Sequence, residues 1–292
     1  MSASSAIDSV VCLNCSAISH RVGSKDGFDL LACTCCDLRF VYPPPTQSQI
    51  TEYYDGAYFE WHHGVKRMEG DIAAAALRLA FLEVLIAKGS VLDVGCGNGV
   101  FVMSAAERGW RVGIVELNKD MLDQSRPNCT MGAWHDIEEA TGHFDALTMW
   151  EYIEHVVDPR FHIEQARRLL SDGGILALST PNLRAVHGRK AFLDWELTKP
   201  PEHLTYWNDE NLISFVERSG FTLVGLRYHG LAFPLAAWRV LGRRSNKRTL
   251  LWPISSLIWS VMRRWWIGPI LKGPDWRGEI YEGVELYFRR SQ

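Results

Sequence analysis

Apolar runs alternate with amphipathic, helix-prone stretches over most of the chain between residues 70 and 230. The apolar runs that have the length of buried strands lie at residues 90–94, 112–117, 144–150 and 173–181. Residues 160–170 place apolar side chains at the spacing of a helix that packs on a sheet. Strands and helices that alternate in this way predict right-handed βαβ units and a parallel sheet covered by helices on both faces. The predicted fold class is therefore α/β.

Elements on either side of this alternation extend the prediction. Residues 70–88 are helix-prone, with Asp71 available as an N-cap and Gly89 as a terminator. Further patterns predict a helix and two strands at residues 211–219, 221–229 and 278–290. Three consecutive prolines at positions 43–45 exclude a helix or a central strand there, which indicates a domain boundary.

The composition is that of an ordinary globular protein, since 47% of the 292 residues are hydrophobic and 22% are charged. A net charge of -3 gives the whole chain no electrostatic reason to bind nucleic acid, whose phosphates favour basic surfaces. The first residues lack the basic segment and long apolar core of a secretory signal, so we expect a cytoplasmic protein. In a reducing compartment, the seven cysteines are better explained as metal ligands or buried thiols than as disulfides.

Four of the cysteines have the spacing C-x2-C-x17-C-x2-C, which is typical of a zinc site with four thiolate ligands. They are Cys12, Cys15, Cys33 and Cys36. Two residues between ligands let each pair place both thiolates on one side of a tight turn. A fully ligated zinc has no open position for catalysis, so we expect a structural metal that supplies folding free energy to a small ribbon. Cys35 breaks the two-residue spacing and is interpreted as a spare thiol.

A glycine-rich turn follows the first strand of the predicted sheet and is the strongest chemical signal in the chain. Its residues are Asp93, Gly95, Gly97 and Gly99. Glycines let the backbone approach a ligand closely, and the N-terminus of the next helix offers free N–H groups to an anion. Glu116 ends the second strand, where a carboxylate can accept both hydroxyls of a ribose. These residues together predict a site for adenosine.

The spacing of the glycines separates two kinds of adenosine cofactor. A dinucleotide fingerprint requires Gly or Ala three positions after its second glycine, where this chain has Val100. At residues 93–99 the chain instead resembles the class I S-adenosylmethionine (SAM)-dependent methyltransferases, whose first motif is D-x-G-x-G-x-G. The resemblance covers most of residues 9–225, with a last strand near 283–290. It implies a Rossmann-like sheet of seven strands with helices on both faces.

The resemblance also assigns roles to individual residues around the cofactor. It implies that Glu116 and Leu117 contact the ribose, and that Asp136 and Ile137 hold the adenine. Trp150 ends the third clear strand and is expected to line the cofactor pocket, although core packing is an alternative. Tyr54, with its neighbours Tyr53 and Tyr58, is expected to approach the cofactor or the acceptor, with aromatic packing as the alternative.

Three residues are candidates for acid–base chemistry. The segment that ends in Glu154 and His155 is similar to the fourth-strand motif of the ubiquinone-type O-methyltransferase branch. The later loop PEHLTYWN contains Glu202 and His203 and is similar to a loop of that branch. In the sugar C-methyltransferases that the chain also resembles, a Glu-His pair in this loop transfers a proton. We therefore expect Glu202, His203 and His155 to be catalytic, with His203 as the preferred base.

Residues 231–272 have a different composition, with eight Lys or Arg, no acidic residue and five tryptophans. Such a mixture is typical of a surface that lies on anionic lipid, and a lid over the substrate is the alternative. Arg263, Arg264 and Pro253 argue against a span through the bilayer. Contact of this basic, aromatic segment with RNA is a further alternative that the overall charge disfavours.

The predicted domains are a zinc ribbon at 1–45, a tyrosine-rich linker and helix at 46–88, and a SAM-binding domain at 89–230 with 275–292. An insertion occupies residues 231–274. The predicted function is methyl transfer from SAM to an oxygen or carbon of a small-molecule acceptor, such as a saccharide, a lipid-linked compound or a quinone-like compound. An RNA-modifying methyltransferase and a catalytically silent SAM-binding module are the alternatives. The oligomeric state is not predicted.

Overall fold

The structure is a computed structural model that describes residues 10–54, 65–231 and 281–291. The larger of the two sheets in the described residues has seven strands, in the spatial order β10-β11-β8-β7-β4-β5-β6. These strands are β4 (Ser90–Val94), β5 (Arg111–Val115), β6 (Gly132–Trp134), β7 (Phe144–Trp150), β8 (Leu170–Pro181), β10 (Phe221–Leu231) and β11 (Tyr281–Arg290). The strands from β8 to β6 in this order run parallel, and β11 is antiparallel to both of its neighbours. This sheet confirms the predicted Rossmann-like fold.

Two helices precede the first strand of this sheet, and the other helices lie between its later strands in the chain. In chain order the helices are α1 (Gln47–Tyr54), α2 (Val65–Leu85), α3 (Val100–Glu107), α4 (Lys119–Ser125), α5 (Pro159–Leu169), α6 (Val186–Lys190) and α7 (Asp209–Glu217). Helix α2 begins before the predicted start, because the chain continues through Gly70 without a break. Asp71 is therefore not an N-cap, and its carboxylate accepts a hydrogen bond of 3.0 Å from the Asn98 side chain.

Alternate residues of the central strands face opposite sides of the sheet, as the period of a strand requires. Leu92 and Val94 of β4 pack in one apolar cluster, whereas Val91 packs in a second cluster with Leu79 and Leu82 of α2. All five side chains are fully buried. The sheet is therefore buried on both faces, which explains why its strands read as continuous apolar runs.

A second, smaller sheet contains the cysteine-rich segment and has the order β1-β2-β3-β9. Its strands are β1 (Ser19–Lys25), β2 (Phe28–Cys33), β3 (Arg39–Val41) and β9 (Thr205–Tyr206). Strands β1 and β2 form a hairpin whose two turn residues, Asp26 and Gly27, both have positive φ, as a primed two-residue turn requires. The fourth strand comes from residues far along the chain, so the ribbon and the large domain share a sheet.

Several predictions from the sequence fall outside the described residues. They concern Tyr58, the basic insertion after Leu231 and the first residues of the predicted strand at 278–290. The side chain of Tyr54 is likewise not described. None of the helices within the described ranges combines the length and the apolar character needed to cross a bilayer.

Candidate cofactor and catalytic site

The glycine turn connects β4 to α3 at the carboxyl edge of the sheet. Gly95, Gly97 and Gly99 have φ of 74°, 52° and 70°, a backbone conformation that glycine adopts at little cost. A Cβ on Gly95 would lie 2.5 Å from the Tyr152 ring. No side chain caps the α3 N-terminus at Gly99, although the Asn98 side chain accepts from the Val100 N–H at 3.2 Å. The turn therefore brings backbone N–H groups close to the space beyond the end of β4, as an anion site requires.

Asp93 is buried under this turn at the end of β4. Its Oδ1 accepts a hydrogen bond of 2.5 Å from the hydroxyl of Thr148 on the neighbouring strand β7. Burial raises the pKa of the Asp93 carboxyl to about 7, against the opposing effects of that hydrogen bond and of the positive charge of Arg78. A carboxyl group of this kind is half protonated near neutral pH, so its charge is sensitive to what binds at the turn.

Glu116 follows β5 and faces the glycine turn. Its two carboxylate oxygens accept hydrogen bonds of 2.9 Å, one from the Gly97 N–H and one from the Asn118 N–H. Burial raises the pKa of Glu116, and these backbone donors oppose the shift. The structure therefore brings together the glycine turn and the predicted ribose-binding acid. The adjacent Leu117 is 55% exposed.

The residues predicted to hold adenine follow β6, the strand beside β5. Asp136 is exposed, and its side chain accepts from the Glu138 N–H at 3.0 Å. Ile137 is 1% exposed and packs in the core, while its carbonyl accepts from the Arg168 guanidinium at 3.1 Å. The two residues lie at the same edge of the sheet as the glycine turn. Their contact with adenine stays a prediction.

A partly buried cation at this edge was not predicted from the sequence. The guanidinium of Arg78, on α2, lies 4.3 Å from the Trp150 ring centre and donates to Glu285 at 3.0 Å and to Ser179 at 3.2 Å. Its positive charge also acts on buried Asp93. A cation in this position suits the carboxylate of an amino-acid tail, and no local pattern around residue 78 indicates it.

Trp150 ends β7 and is partly exposed. Its ring packs against Phe101 at 5.5 Å and Tyr287 at 6.2 Å between ring centres. Within the described part of the chain its indole N–H is buried without a hydrogen-bond acceptor. The side chain thus combines core packing with one polar group that remains to be paired.

The candidate catalytic residues lie together just beyond β7. The rings of His155 and His203 meet edge to face, with 4.8 Å between their centres. His155 Nδ1 lies 2.8 Å from the Glu202 carbonyl oxygen, and His203 Nδ1 lies 2.8 Å from the Leu197 carbonyl oxygen. Because a carbonyl oxygen only accepts, both Nδ1 atoms carry a proton, and in the neutral rings both Nε2 atoms are acceptors.

Two glutamate carboxyl groups face these Nε2 atoms. Glu202 Oε1 lies 3.7 Å from His203 Nε2, and Glu154 Oε1 lies 3.9 Å from His155 Nε2. Burial lowers the pKa of His155 to about 4, so this ring is neutral at physiological pH. A base with so low a pKa is a poor proton acceptor near neutrality, which argues against His155 in that role.

Glu202 is held by one residue from helix α1 and by one residue from its own loop. The Tyr53 hydroxyl, on α1, donates to Glu202 Oε2 at 3.1 Å. The Lys199 ammonium forms an ion pair with Glu202 Oε1. Tyr53, one of the tyrosines considered from the sequence, therefore contacts the carboxylate beside the candidate base. Lys199 was not predicted, because its partner is identified only once the loop is folded.

Glu154 is an unusual group in this cluster. Its side chain is 1% exposed, and neither carboxyl oxygen has a hydrogen-bond partner among the described residues. Burial and the nearby charge of Glu151 raise its pKa well above the usual range. Glu154 is therefore a neutral, buried carboxyl group beside His155. The sequence motif placed Glu154 in this segment but did not indicate that its side chain is neutral.

The four predicted metal ligands lie at one end of the ribbon. Their sulfur atoms all lie within 4.8 Å of one another. The closest pairs are 3.4 Å (Cys15 and Cys33) and 3.7 Å (Cys12 and Cys36, and Cys15 and Cys36). Four sulfurs about 2.3 Å from a tetrahedral zinc lie about 3.8 Å apart, and disulfide sulfurs lie about 2 Å apart. The geometry fits a metal and excludes disulfides within this cluster.

Comparisons with known proteins agree with this arrangement. The family model described as "Methyltransferase domain" matches residues 65–226, more than half of the chain. A ubiquinone biosynthesis O-methyltransferase from Psychrobacter cryohalolentis is 36% identical over 130 residues, 40% of this chain and 49% of the relative. One from Coxiella burnetii is 27% identical over 205 residues, which cover 63% of this chain and 87% of the relative. The match thus spans about half the length of the first of these relatives.

A solved structure supports the fold independently of sequence. Magnesium protoporphyrin IX methyltransferase from Synechocystis PCC 6803, solved with bound S-adenosylhomocysteine, superposes with a TM-score of 0.52. The superposition covers 84% of this chain and 100% of that chain at 14% identity. At this identity the likeness concerns the fold alone.

Proposed function

Because this chain belongs to the class I SAM-dependent methyltransferase family, we propose that it transfers a methyl group from SAM to an oxygen or a carbon of a small-molecule acceptor. The observation that carries the proposal is the contact between the Gly97 N–H and the carboxylate of Glu116 at the carboxyl edge of the sheet. Ligands of open α/β sheets bind at this edge.

The residues at this edge fit the parts of SAM. Gly95, where a Cβ would collide with Tyr152, allows backbone to approach the amino-acid tail. The partly buried Arg78, which also pairs with Glu285, would offer a positive charge to the carboxylate of that tail. Glu116 would accept the ribose hydroxyls in place of its backbone donors, and Asp136 with Ile137 would flank the adenine. When bound, SAM supplies a methyl group on a positively charged sulfur, so the protein mainly has to position the acceptor.

His203 is the proposed base. Its Nε2 would take the proton that the acceptor loses, and Glu202, 3.7 Å away, would stabilise the resulting imidazolium. Tyr53 and Lys199 hold the Glu202 carboxylate in place. His155 stays neutral, packs against the His203 ring and fixes its orientation.

We propose that zinc binds Cys12, Cys15, Cys33 and Cys36 and is structural, because four thiolates leave no open coordination position. Backbone N–H groups also donate to sulfur in both pairs, from Asn14 to Cys12 at 3.3 Å and from Cys36 to Cys33 at 3.4 Å. Such donors stabilise thiolates, the form that a metal requires.

The acceptor class is proposed from two considerations. The curated relatives are named for ubiquinone biosynthesis, which favours a quinol-like or lipid-linked acceptor over nucleic acid. Residues 231–272 carry basic and Trp residues, which suits peripheral contact with the cytoplasmic face of a membrane. Strands β10 and β11, which flank this insertion in the chain, are paired at Leu231 and Tyr281 beside the carboxyl edge.

Formation of S-adenosylhomocysteine on a panel of catechols and nucleotide-linked sugars tests the proposal. We expect turnover with one class of acceptor, and His203→Asn should lower kcat by about 10²- to 10⁴-fold while SAM binding stays the same. A matched control is His143→Asn, which removes a histidine outside the site. Wild-type activity in His203→Asn would exclude this residue as the base, and SAM binding without turnover on any acceptor would favour the silent module.

A further inference from the structure

The candidate base lies on a segment that the cysteine-rich ribbon holds at its start. His203 is followed within two residues by β9, the last strand of the ribbon sheet, which pairs with β3 through Phe40 and Thr205. The Val41 N–H also donates to the Leu204 carbonyl at 2.9 Å. The backbone next to His203 is therefore part of the ribbon sheet.

The knuckle that carries two metal ligands holds the same segment further along. Asn14, between Cys12 and Cys15, donates from Nδ2 to Cys36 Sγ at 3.4 Å and to the Asn211 carbonyl at 3.2 Å. Asn211 in turn donates from its side chain to the Cys36 carbonyl at 3.2 Å. The first turn of α7 is thus bonded directly to one ligand, Cys36, and to Asn14, which lies between the two ligands of the other pair.

Asn211 also shapes the segment itself. It forms a reciprocal capping box with Asn208, with hydrogen bonds of 2.8 Å and 2.9 Å that begin helix α7. Both side chains are buried, as are those of Glu202, His203 and Thr205. Buried polar groups are costly to leave unpaired. The segment is therefore held in one position only as long as the two cysteine knuckles, which supply its hydrogen-bond partners, keep their own positions.

We infer that the metal-loaded ribbon positions the Glu202–His203 pair, with Asn14 and Asn211 as the positioning residues that join the metal cluster to the segment between β9 and α7. The inference rests on the proposed metal and on the proposed role of His203. In this inference the metal does more than stabilise the ribbon. Loss of the metal should loosen residues 202–211 and leave the glycine turn and Glu116 in place.

Hydrogen exchange of the full-length, zinc-loaded protein tests this coupling. After a chelator removes the zinc, verified by metal analysis, we expect amide exchange in peptides covering 202–211 to rise at least tenfold. Peptides covering 90–118 should keep their exchange rates, SAM affinity should change less than twofold, and added zinc should restore the original pattern. Unchanged exchange at 202–211, or an equal rise along the whole chain, would overturn the inference.

A variant separates the coupling from metal binding itself. Asn14→Ala should speed exchange at 202–211 and shift the ring resonances of His203 in NMR spectra. Arg21→Ala is the matched control, because it breaks an exposed ion pair with Asp29 elsewhere in the ribbon sheet and should do neither. Whether or not Asn14→Ala keeps its zinc, wild-type exchange at 202–211 in this variant would contradict the inference. Calorimetry with SAM reports on the proposed cofactor site separately in every variant.

Discussion

At the scale of single residues, the cofactor edge depends on carboxyl groups whose charge is set by burial. Asp93 and Glu116 are both buried, and for both burial is the largest cause of a raised pKa. They differ in their partners, because Asp93 has a hydroxyl donor and Glu116 has two backbone donors. Glu116 is therefore the better placed of the two to exchange its donors for those of a ligand.

Asp93 predicts a pH dependence of stability. Its pKa is about 7 in the folded chain and about 3.9 when unfolded, so folding favours the protonated form. The contribution of this group to stability is complete below the unfolded value and is lost as the pH rises through about 7. Between pH 5 and pH 8 the free energy of unfolding should fall by about 3 kcal/mol relative to Asp93→Asn, which stays neutral.

Urea denaturation of the wild type and of Asp93→Asn at several pH values measures this difference. A constant gap between the two proteins from pH 5 to pH 8 would show that the Asp93 carboxyl is already ionised at the lower pH.

Arg78 is the clearest case of a residue that sequence reasoning missed. Its hydrogen-bond partners, Ser179 and Glu285, come from other elements, so no spacing along the chain identifies it. Glycines and cysteines were identifiable because a tight turn or a thiolate pair imposes a short, local spacing. Sites formed by residues close together in the chain can therefore be predicted from the sequence, and sites assembled from distant segments cannot.

At the scale of elements, long periodic patterns predicted the strands and helices of the sheet. The elements not predicted include β6 with three residues, β9 with two and α6 with five, which are too short to show a clear period. The predicted start of α2 was wrong, because the helix begins at Val65 and continues through Gly70, so that Asp71 does not cap it. Short elements and helix ends depend on tertiary contacts more than on local preference.

The turn between β4 and α3 gives a prediction at this scale. Gly95→Ala places a Cβ at positive φ and 2.5 Å from the Tyr152 ring, so it should lower the free energy of unfolding by about 3 kcal/mol. Gly109→Ala is the control, because its φ is also positive but nothing lies within 4 Å, and it should cost about 1 kcal/mol.

Chemical denaturation of the two glycine variants gives both values. Equal destabilisation would mean that the Tyr152 ring moves freely and that close approach at Gly95 is not needed for folding.

At the scale of the whole molecule, the ribbon is joined to the large domain by a shared sheet and by the Asn14 and Asn211 hydrogen bonds. The sequence predicted a boundary at the three prolines, and it did not predict that β9 crosses back to the ribbon. The predicted domain limits themselves stay a prediction.

The metal supplies a prediction for the same scale. We expect about one zinc per chain, and Cys15→Ser should lose it and lower the thermal unfolding midpoint, because the metal contributes folding free energy. Cys35→Ser is the matched control, since Cys35 is an exposed neighbour outside the four-sulfur cluster and should keep the zinc. Metal analysis by mass spectrometry after gel filtration would contradict the assignment if both variants, or neither, kept the metal.

The account as a whole depends on a nucleoside site formed by the glycine turn and Glu116. Isothermal titration of the purified chain with SAM tests it most directly, and we predict saturable binding of one SAM per chain with no binding of NADH. Glu116→Ala should weaken the SAM affinity by roughly 30-fold or more, as loss of charge-assisted hydrogen bonds requires, and the exposed control Glu138→Ala should not. Absence of SAM binding to the wild type, or equal binding by both variants, would contradict the account.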